Sequence, residues 1–347
     1  MHRRPAHAVR AYARPRRDDW ADEIIWGVME LVSGTLTCSG HPVATAPDRL
    51  GPLVDRSDLL ADPAALLEAF RRDGYVYLPG RVDPDLVLAA RRELLLKYAV
   101  VGEIDDRHPV LDGVAGSRSG LTGANLRALT ESLRTGACYE RVILDPGLVD
   151  TVGVLLDGPV RPYDFRWPRL ARPGEGCGFH CDGPYMSRGT DRHLSVWIPL
   201  GSIAPHEGGL MLLEGSHRNE ELAGGYLQMD ADRDGLVWLD EDPVVVQERY
   251  GERWLTAAYE PGDVLVFSMR MLHGAFDNRS EEGRCRLSTD SRYLVDGETP
   301  DPRWNGDDIQ PHGPGRVFYP GLGSWDNADF QDEWKYVDDE GRLRLDG

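Results

Sequence analysis

The stretch GFHCDGP, residues 178–184, places a histidine and an aspartate two positions apart between glycines. Residues i and i+2 of a β-strand point to the same face, so His180 and Asp182 would direct an imidazole and a carboxylate at one point. From about residue 160 onward, short strand-like runs alternate with Gly, Pro, Asn and Asp turns. Many short strands at fairly even spacing are typical of a sandwich, barrel or jelly roll.

The composition indicates a globular protein and argues against nucleic-acid binding and membrane spans. The chain has 347 residues, 41% hydrophobic and 28% charged, which is ordinary for a globular protein with a sizeable core. Its net charge of -19 repels phosphate backbones, so nucleic acid is not expected as a partner. No apolar run is long enough to span a membrane. The five cysteines form no CxxC pair and are odd in number, which favours reduced thiols and a cytoplasmic location.

Residue composition and predicted elements divide the chain into three parts. The first 17 residues are Arg-rich and contain no acid, which predicts a basic disordered arm rather than a transit peptide. Residues 18–60 form an N-terminal extension with an apolar helix candidate at 20–32. The remaining residues, 61–347, are expected to form a single domain. Its parts are a helical buttress at about 61–158, a β core at about 159–296 and an irregular tail at 297–347.

Three helix starts in the buttress share one pattern, an aspartate followed by proline. An aspartate caps the first turn and proline suits the first helical position. The pairs are Asp62-Pro63, Asp83-Pro84 and Asp145-Pro146, and Gly74, Gly102 and Gly158 mark the ends of these helices. The first helix leads into GYVYLPG, residues 74–80, an alternating strand.

A third metal ligand is available at His273, after the buried-strand run VLVF in VLVFSMRMLHGAFDN. Two histidines and one carboxylate form the facial triad of non-haem Fe(II) oxygenases, which leaves coordination positions open. A single His-x-Asp also occurs by chance, and a lone histidine is usually structural. His193, His206 and His217 are competing ligand candidates on sequence grounds.

A carboxylate cradle is suggested by CRLSTDSRY, residues 285–293. Arg286 and Ser288 share a strand face, and a guanidinium fork beside a hydroxyl suits the far carboxylate of a 2-oxo acid. Arg284 and Arg292 have the same parity, so spacing alone leaves the choice of arginine open.

Four ordered motifs together resemble the phytanoyl-CoA dioxygenase (PhyH-like) family of Fe(II)/2-oxoglutarate oxygenases. They are FHCDGP, HLSVWIPLGSIAPHEGGLMLLEGSHR, PGDVLVFSMRMLHGAFDN and RCRLSTDSRY, and AFRRDGYVYLPG is similar to the family's usual opening. The resemblance covers about residues 60–295. It implies a mainly β fold with flanking helices, built on a double-stranded β-helix core of the jelly-roll or cupin type.

The resemblance also implies roles for residues. His180, Asp182 and His273 would bind Fe(II), and Arg286 would bind the 2-oxoglutarate C5 carboxylate with help from Ser288. The aspartate at 182 argues against a halogenase, which needs an open position there. Two departures are that the spacing from His273 to Arg286 is slightly longer than usual and that Gly208 stands where relatives often carry Asn.

Further residues are expected to border the pocket. His193, Ser195 and Trp197 share one strand face, which predicts that this face borders the pocket and makes Trp197 a candidate for cofactor binding. The alternative is that Trp197 is core, as an aromatic residue in a strand more often is. The segment holding Arg166, Trp167 and Arg169 is open between substrate contact and a rim position. The resemblance makes His217 structural, closing a turn.

The sequence thus predicts a non-haem Fe(II)/2-oxoglutarate-dependent dioxygenase that uses O2 to hydroxylate or otherwise oxidise a small-molecule metabolite of a specialised pathway, releasing succinate and CO2. Two alternatives stay open. One is a non-catalytic metal- or ligand-binding β-helix protein, and the other is a cupin-type metal hydrolase or isomerase, which has no use for the Arg286 cradle.

Overall fold

The structure, a computed structural model, describes residues 35–117, 123–235, 239, 242–306, 309, 316–319 and 323–326. The expected basic arm at 1–17 and the helix candidate at 20–32 lie outside the described residues. Thr35–Gly347 forms one compact unit, and the following description concerns that unit.

Helices fill the first half of the unit and recur between later strands. They are α1 (Pro63–Asp73), α2 (Pro84–Val100), α3 (Gly123–Arg134), α4 (Ala137–Ile143), α5 (Pro146–Leu156), α6 (Glu220–Gly224), α7 (Ala231–Asp234) and α8 (Pro243–Tyr250). None of the helices in the described ranges is both long and apolar enough to cross a membrane.

The predicted aspartate caps are present at the start of α1, α2 and α5. Asp62 accepts a hydrogen bond from the Ala65 amide, and Asp145 accepts one from the Leu148 amide. Gly74 ends α1 in the left-handed region at φ 77°, as glycine permits. At the end of α5 that conformation falls on Asp157, at φ 52°, one residue before the expected Gly158.

Strands make up the second half of the unit and two earlier segments. They are β1 (Thr37–Cys38), β2 (His41–Pro42), β3 (Leu50–Pro52), β4 (Tyr75–Leu78), β5 (Val160–Pro162), β6 (Trp167–Ala171), β7 (Cys177–His180), β8 (His193–Pro199), β9 (Leu210–Leu213), β10 (Trp254–Thr256), β11 (Val264–Ser268), β12 (His273–Ala275), β13 (Arg286–Val295), β14 (Arg316–Tyr319) and β15 (Gly323–Asp326).

Two sheets form the core. One is five-stranded in the order β3-β10-β9-β12-β7, and the other is six-stranded in the order β4-β11-β8-β13-β5, with β6 also pairing with β13. Apolar side chains from both sheets meet between them, including Trp197 and Leu265 from one sheet and Leu212 and Leu255 from the other. This arrangement of two facing, mainly antiparallel sheets confirms the predicted double-stranded β-helix core with flanking helices.

The helices cover the outer face of the six-stranded sheet. Alternate residues of β8, such as Val196 and Ile198, join a cluster with Leu94 of α2 and Val152 of α5. The intervening residues of β8 therefore face the other sheet, because strand side chains alternate between faces. That inner face carries the residues of the site described below.

Two early segments contribute strands to the sheets, so the fold does not follow the sequence divisions closely. Strand β3, from the expected extension, pairs in parallel with β10, with Leu50 opposite Trp254. Strand β4, from the expected buttress, pairs with β11. In the tail, expected to be irregular, β14 and β15 form an antiparallel pair. The domain boundaries themselves stay predictions.

Candidate metal centre

The three predicted metal ligands meet between the sheets. His180 ends β7 and His273 begins β12, and these two residues stand opposite each other in the strand pairing. Asp182 follows β7 directly, and all three side chains are buried. Their ligand atoms all lie within 4.8 Å of one another, with 3.9 Å between His180 Nε2 and Asp182 Oδ1. Among the described residues no other group of His, Cys, Asp or Glu gathers in this way, and His193, His206 and His217 stand apart from it.

Both histidines are oriented by their own backbone. The Nδ1 atom of His180 lies 2.9 Å from the Gly178 carbonyl oxygen, and that of His273 lies 3.0 Å from the Met271 carbonyl oxygen. A carbonyl only accepts, so each Nδ1 carries the proton and each Nε2 keeps a lone pair for a metal. Burial lowers the pKa of His273 to about 4, which keeps this imidazole neutral near neutral pH.

Asp182 is held through both carboxylate oxygens. The Ser195 hydroxyl donates to Oδ2, and Arg292 Nη2 donates to Oδ1 over 2.8 Å. Burial opposes ionisation of this carboxyl, but Arg292 and the two histidines outweigh it and hold the pKa of Asp182 well below its usual range. Burial opposes protonation of His180, but Cys177 and Asp182 outweigh it and raise the pKa of this imidazole. The donor set is two imidazole Nε2 atoms, which bind a metal in the neutral form, and one ionised carboxylate. This set fits Fe(II) in a facial triad that leaves positions open.

The carboxylate cradle lies on the same inner face. Arg286 is buried, its Nη1 donates to Ser288 Oγ over 2.7 Å, and its Nε donates to the Gly208 carbonyl oxygen over 3.1 Å. No carboxylate among the described residues is hydrogen-bonded to Arg286. A buried guanidinium without a bonded counter-ion is expensive to keep, so this fork suits an anionic ligand.

The three arginines that spacing left open occupy different environments. Arg284 is 49% exposed in its side chain and pairs with Glu282 at the surface. Arg292 is bound to Asp182, whereas Arg286 is the arginine that is hydrogen-bonded to Ser288. Of the three, Arg286 therefore lies at the predicted cradle position, and its binding of a carboxylate stays a prediction. The contact of Arg292 with Asp182 is absent from the sequence expectations, although its strand parity with Arg286 is the signal that pointed to this face.

The predicted face of β8 lies inward. Ser195 contacts Asp182, and His193 Nδ1 lies 3.3 Å from the Tyr163 hydroxyl. Trp197 is buried between the sheets against Tyr259, with ring centroids 4.6 Å apart. Its contact with a cofactor stays a prediction.

The three pocket candidates at and just before β6 do not all face the site. Arg166 pairs with Glu140 of α4, away from the ligands. Arg169 pairs with Asp290 of β13. Trp167 lies under the guanidinium of Arg292, at 4.3 Å from ring centroid to Cζ. Trp167 and Arg169 are therefore part of the site's wall, and Arg166 is not.

An aromatic compartment adjoins the ligand triad, which the sequence did not indicate. It is formed by buried side chains from separate segments, namely Tyr163, Phe165, Trp167, Met186, Met269, Leu294 and Trp304, with Tyr185 packed against them. The Tyr185 ring lies 5.8 Å from the ring of His180, and the sulfur of Met269 lies 3.2 Å from Ser195 Oγ. The aromatic compartment is therefore directly adjacent to the three predicted metal ligands.

Comparison with known proteins identifies a family and several relatives. The family described as Phytanoyl-CoA dioxygenase (PhyH) matches residues 70–285. The chain is 27% identical over 260 residues to a 1-deoxypentalenic acid 11-beta-hydroxylase of Streptomyces exfoliatus, covering 71% of this chain and 86% of that protein. It is 26% identical over 254 residues to an ectoine dioxygenase of Stutzerimonas stutzeri (strain A1501), covering 69% and 80%. Among solved structures, the epimerase SnoN in complex with Fe3+, alpha ketoglutarate and nogalamycin RO is similar, at 21% identity and a TM-score of 0.47, covering 76% of this chain and 96% of that one.

Proposed function

This chain belongs to the phytanoyl-CoA dioxygenase family and is a non-haem Fe(II)- and 2-oxoglutarate-dependent dioxygenase, and from that premise we propose that His180, Asp182 and His273 hold its iron. We propose further that Arg286, with Ser288, binds the C5 carboxylate of 2-oxoglutarate. The observation that supports this most is that a triad of metal-ligand side chains shares one inner face with a buried guanidinium to which no described carboxylate is hydrogen-bonded.

Iron and 2-oxoglutarate supply the oxidising chemistry when bound, using O2 and converting 2-oxoglutarate to succinate and CO2. The protein's own residues set the geometry. The backbone carbonyls of Gly178 and Met271 fix the two imidazole rings, as outer partners of metal ligands generally do. Ser195 occupies the Asp182 oxygen that faces away from His180, which favours a single metal-binding oxygen and keeps the remaining coordination positions open.

The substrate is proposed to be a small-molecule metabolite of specialised metabolism, and the reaction a hydroxylation. The relatives named above act on 1-deoxypentalenic acid and on ectoine, which are both small molecules. Burial of the triad keeps bulk water from the reacting centre, as oxidation of an unactivated C–H bond requires.

The test is an anaerobic titration of metal-free protein with Fe(II) and then 2-oxoglutarate, following the weak visible charge-transfer band of the complex. Wild type should develop the band, His273→Ala should not, and Arg284→Gln should match wild type because Arg284 lies at the surface. Absence of the band in folded wild type loaded with Fe(II) would refute the proposed site.

A further inference from the structure

Arg292 has more hydrogen-bonding capacity than its protein surroundings use. The residue is 4% exposed, and its Nη2 donates to Asp182. Its Nε and Nη1 atoms are buried without a hydrogen-bond partner among the described residues. The Oδ2 atom of Asp290 is 3.8 Å from Nη1, which is beyond hydrogen-bonding distance. Buried N–H groups of a charged side chain that lack hydrogen-bond acceptors are energetically costly. The two unpaired nitrogens of Arg292 therefore suit a bound ligand that carries hydrogen-bond acceptors.

One face of the Arg292 guanidinium is covered by an aromatic ring. The guanidinium lies over the ring of Trp167, and Trp167 is in contact with Phe165 at a centroid distance of 4.6 Å. A second guanidinium, that of Arg134, lies over the Phe165 ring at 4.8 Å from Cζ to the ring centroid. A guanidinium with open N–H groups on the wall of a mainly aromatic compartment matches a ligand with one carboxylate and a hydrocarbon body.

Trp304 fills the centre of the compartment. Its ring lies 5.3 Å from that of Phe165 and 5.1 Å from that of Trp167. It comes from the segment after β13. Its Nε1 donates to the Tyr185 carbonyl oxygen, its amide donates to the Asp301 carbonyl oxygen, and its own carbonyl oxygen accepts from the Phe165 amide. Trp304 lies outside every strand of both sheets, so a ligand that took the place of its ring would displace no strand residue.

We propose that the aromatic compartment is the substrate site and that the substrate is an apolar carboxylic acid. Its carboxylate binds the open N–H groups of Arg292, and its hydrocarbon body takes the place of the Trp304 ring. This inference rests on the proposed function, since the compartment gains its meaning from lying directly beside the ligand triad.

The competing assignment of Arg292 is to 2-oxoglutarate, which also carries carboxylates. Arg286 and Ser288 already offer a buried site for one end of that molecule. The two assignments differ in which ligand loses affinity when Arg292 is changed, so they are separable by titration.

The experiment measures binding of a matched pair of probes to metal-free protein by tryptophan fluorescence. Adamantane-1-carboxylate is a compact apolar cage similar in size to an indole ring, and adamantane-1-carboxamide is its neutral counterpart. Wild type should bind the carboxylate at least tenfold more tightly than the carboxamide. Arg292→Gln should abolish that preference, Arg284→Gln should keep it, and Trp304→Ala should tighten binding of both probes severalfold.

Equal binding of the two probes to wild type, no binding of either, or a preference that survives in Arg292→Gln would overturn the inference. So would an Arg292→Gln protein that loses affinity for 2-oxoglutarate but keeps its preference for the carboxylate probe. If Arg292→Gln does not fold, Trp304→Ala carries the test, and unchanged binding there overturns it. Wild type that binds Fe(II) and 2-oxoglutarate but shows no probe preference refutes this inference alone, whereas a probe preference without iron binding refutes the proposed function.

Discussion

Replacing Arg286 by glutamine is expected to weaken 2-oxoglutarate binding about a hundredfold while iron binding is retained. In the structure Nε and one N–H of Nη1 are engaged by Gly208 and Ser288, which leaves the outer edge of the fork for a carboxylate. Two hydrogen bonds to a charged group are worth about 1.5–3 kcal/mol each, and glutamine recovers part of this with one neutral bond. The net loss is about 3 kcal/mol, or about two orders of magnitude in Kd.

The same substitution is expected to have little net effect on the stability of the ligand-free protein. Burial lowers the pKa of Arg286, because the charged form loses its hydration without gaining a bonded carboxylate. Removing that charge relieves a desolvation cost, while Gly208 and Ser288 lose a partner at a cost of about 1 kcal/mol each. We therefore expect the free energy of unfolding of ligand-free Arg286→Gln to stay within about 2 kcal/mol of wild type.

The assay is the anaerobic charge-transfer titration with 2-oxoglutarate at saturating Fe(II), combined with urea unfolding of the ligand-free protein. Arg284→Gln is the matched control, because it removes an arginine two residues away that pairs at the surface. A Kd for 2-oxoglutarate in Arg286→Gln within about threefold of wild type, or an equal loss in Arg284→Gln, would refute the reasoning from burial and free N–H groups.

Three further outcomes are expected. Ser288→Ala should weaken 2-oxoglutarate binding by about tenfold or less in the same titration, since it removes one neutral hydroxyl that positions Arg286. Asp290→Asn should lower the free energy of unfolding in urea by about 3 kcal/mol because it leaves Arg169 without its buried partner. The control Asp191→Asn, at an exposed position, should leave the free energy of unfolding unchanged. Equal effects of the two substitutions would contradict a stabilising role of the Arg169–Asp290 pair. Burial lowers the pKa of His193 to about 4, so the unfolded chain, with a histidine pKa of about 6.5, binds a proton first as the pH falls. The contribution of His193 to the free energy of unfolding should therefore be full above about pH 6.5 and fall by about 3 kcal/mol toward pH 4. Urea unfolding at about pH 7 and about pH 4.5 should show a smaller decline in His193→Gln than in wild type.

The ligand triad could be predicted from the sequence because its information is local. His180 and Asp182 are related by strand parity, and His273 follows a recognisable buried strand. The choice among arginines could not be made in this way. Arg284, Arg286 and Arg292 share parity. What separates them is that β13 begins at Arg286, so that Arg284 lies before the strand, in an isolated bridge with Val114 and paired with Glu282 at the surface.

The aromatic compartment could not be predicted either, for a different reason. Its residues come from β6 and the segment before it, the turn after β7, the turn after β11, β13 and the segment that follows β13. No periodicity links positions so far apart, and each aromatic residue read singly is more often ordinary core. Only the closure of the two sheets brings these segments to one place.

The pairing of the earliest strands with late ones has a consequence for how the chain folds. Leu50 of β3 stands opposite Trp254, and Tyr75 of β4 stands opposite Phe267. During synthesis the helices α1 and α2 can form as they emerge, but β3 and β4 must wait for partners nearly two hundred residues downstream. Closing such long loops is slow, and meanwhile both strands have unpaired edges that invite association between chains. His273 emerges only after these partners, so the metal-binding triad cannot assemble until most of the chain has been synthesised.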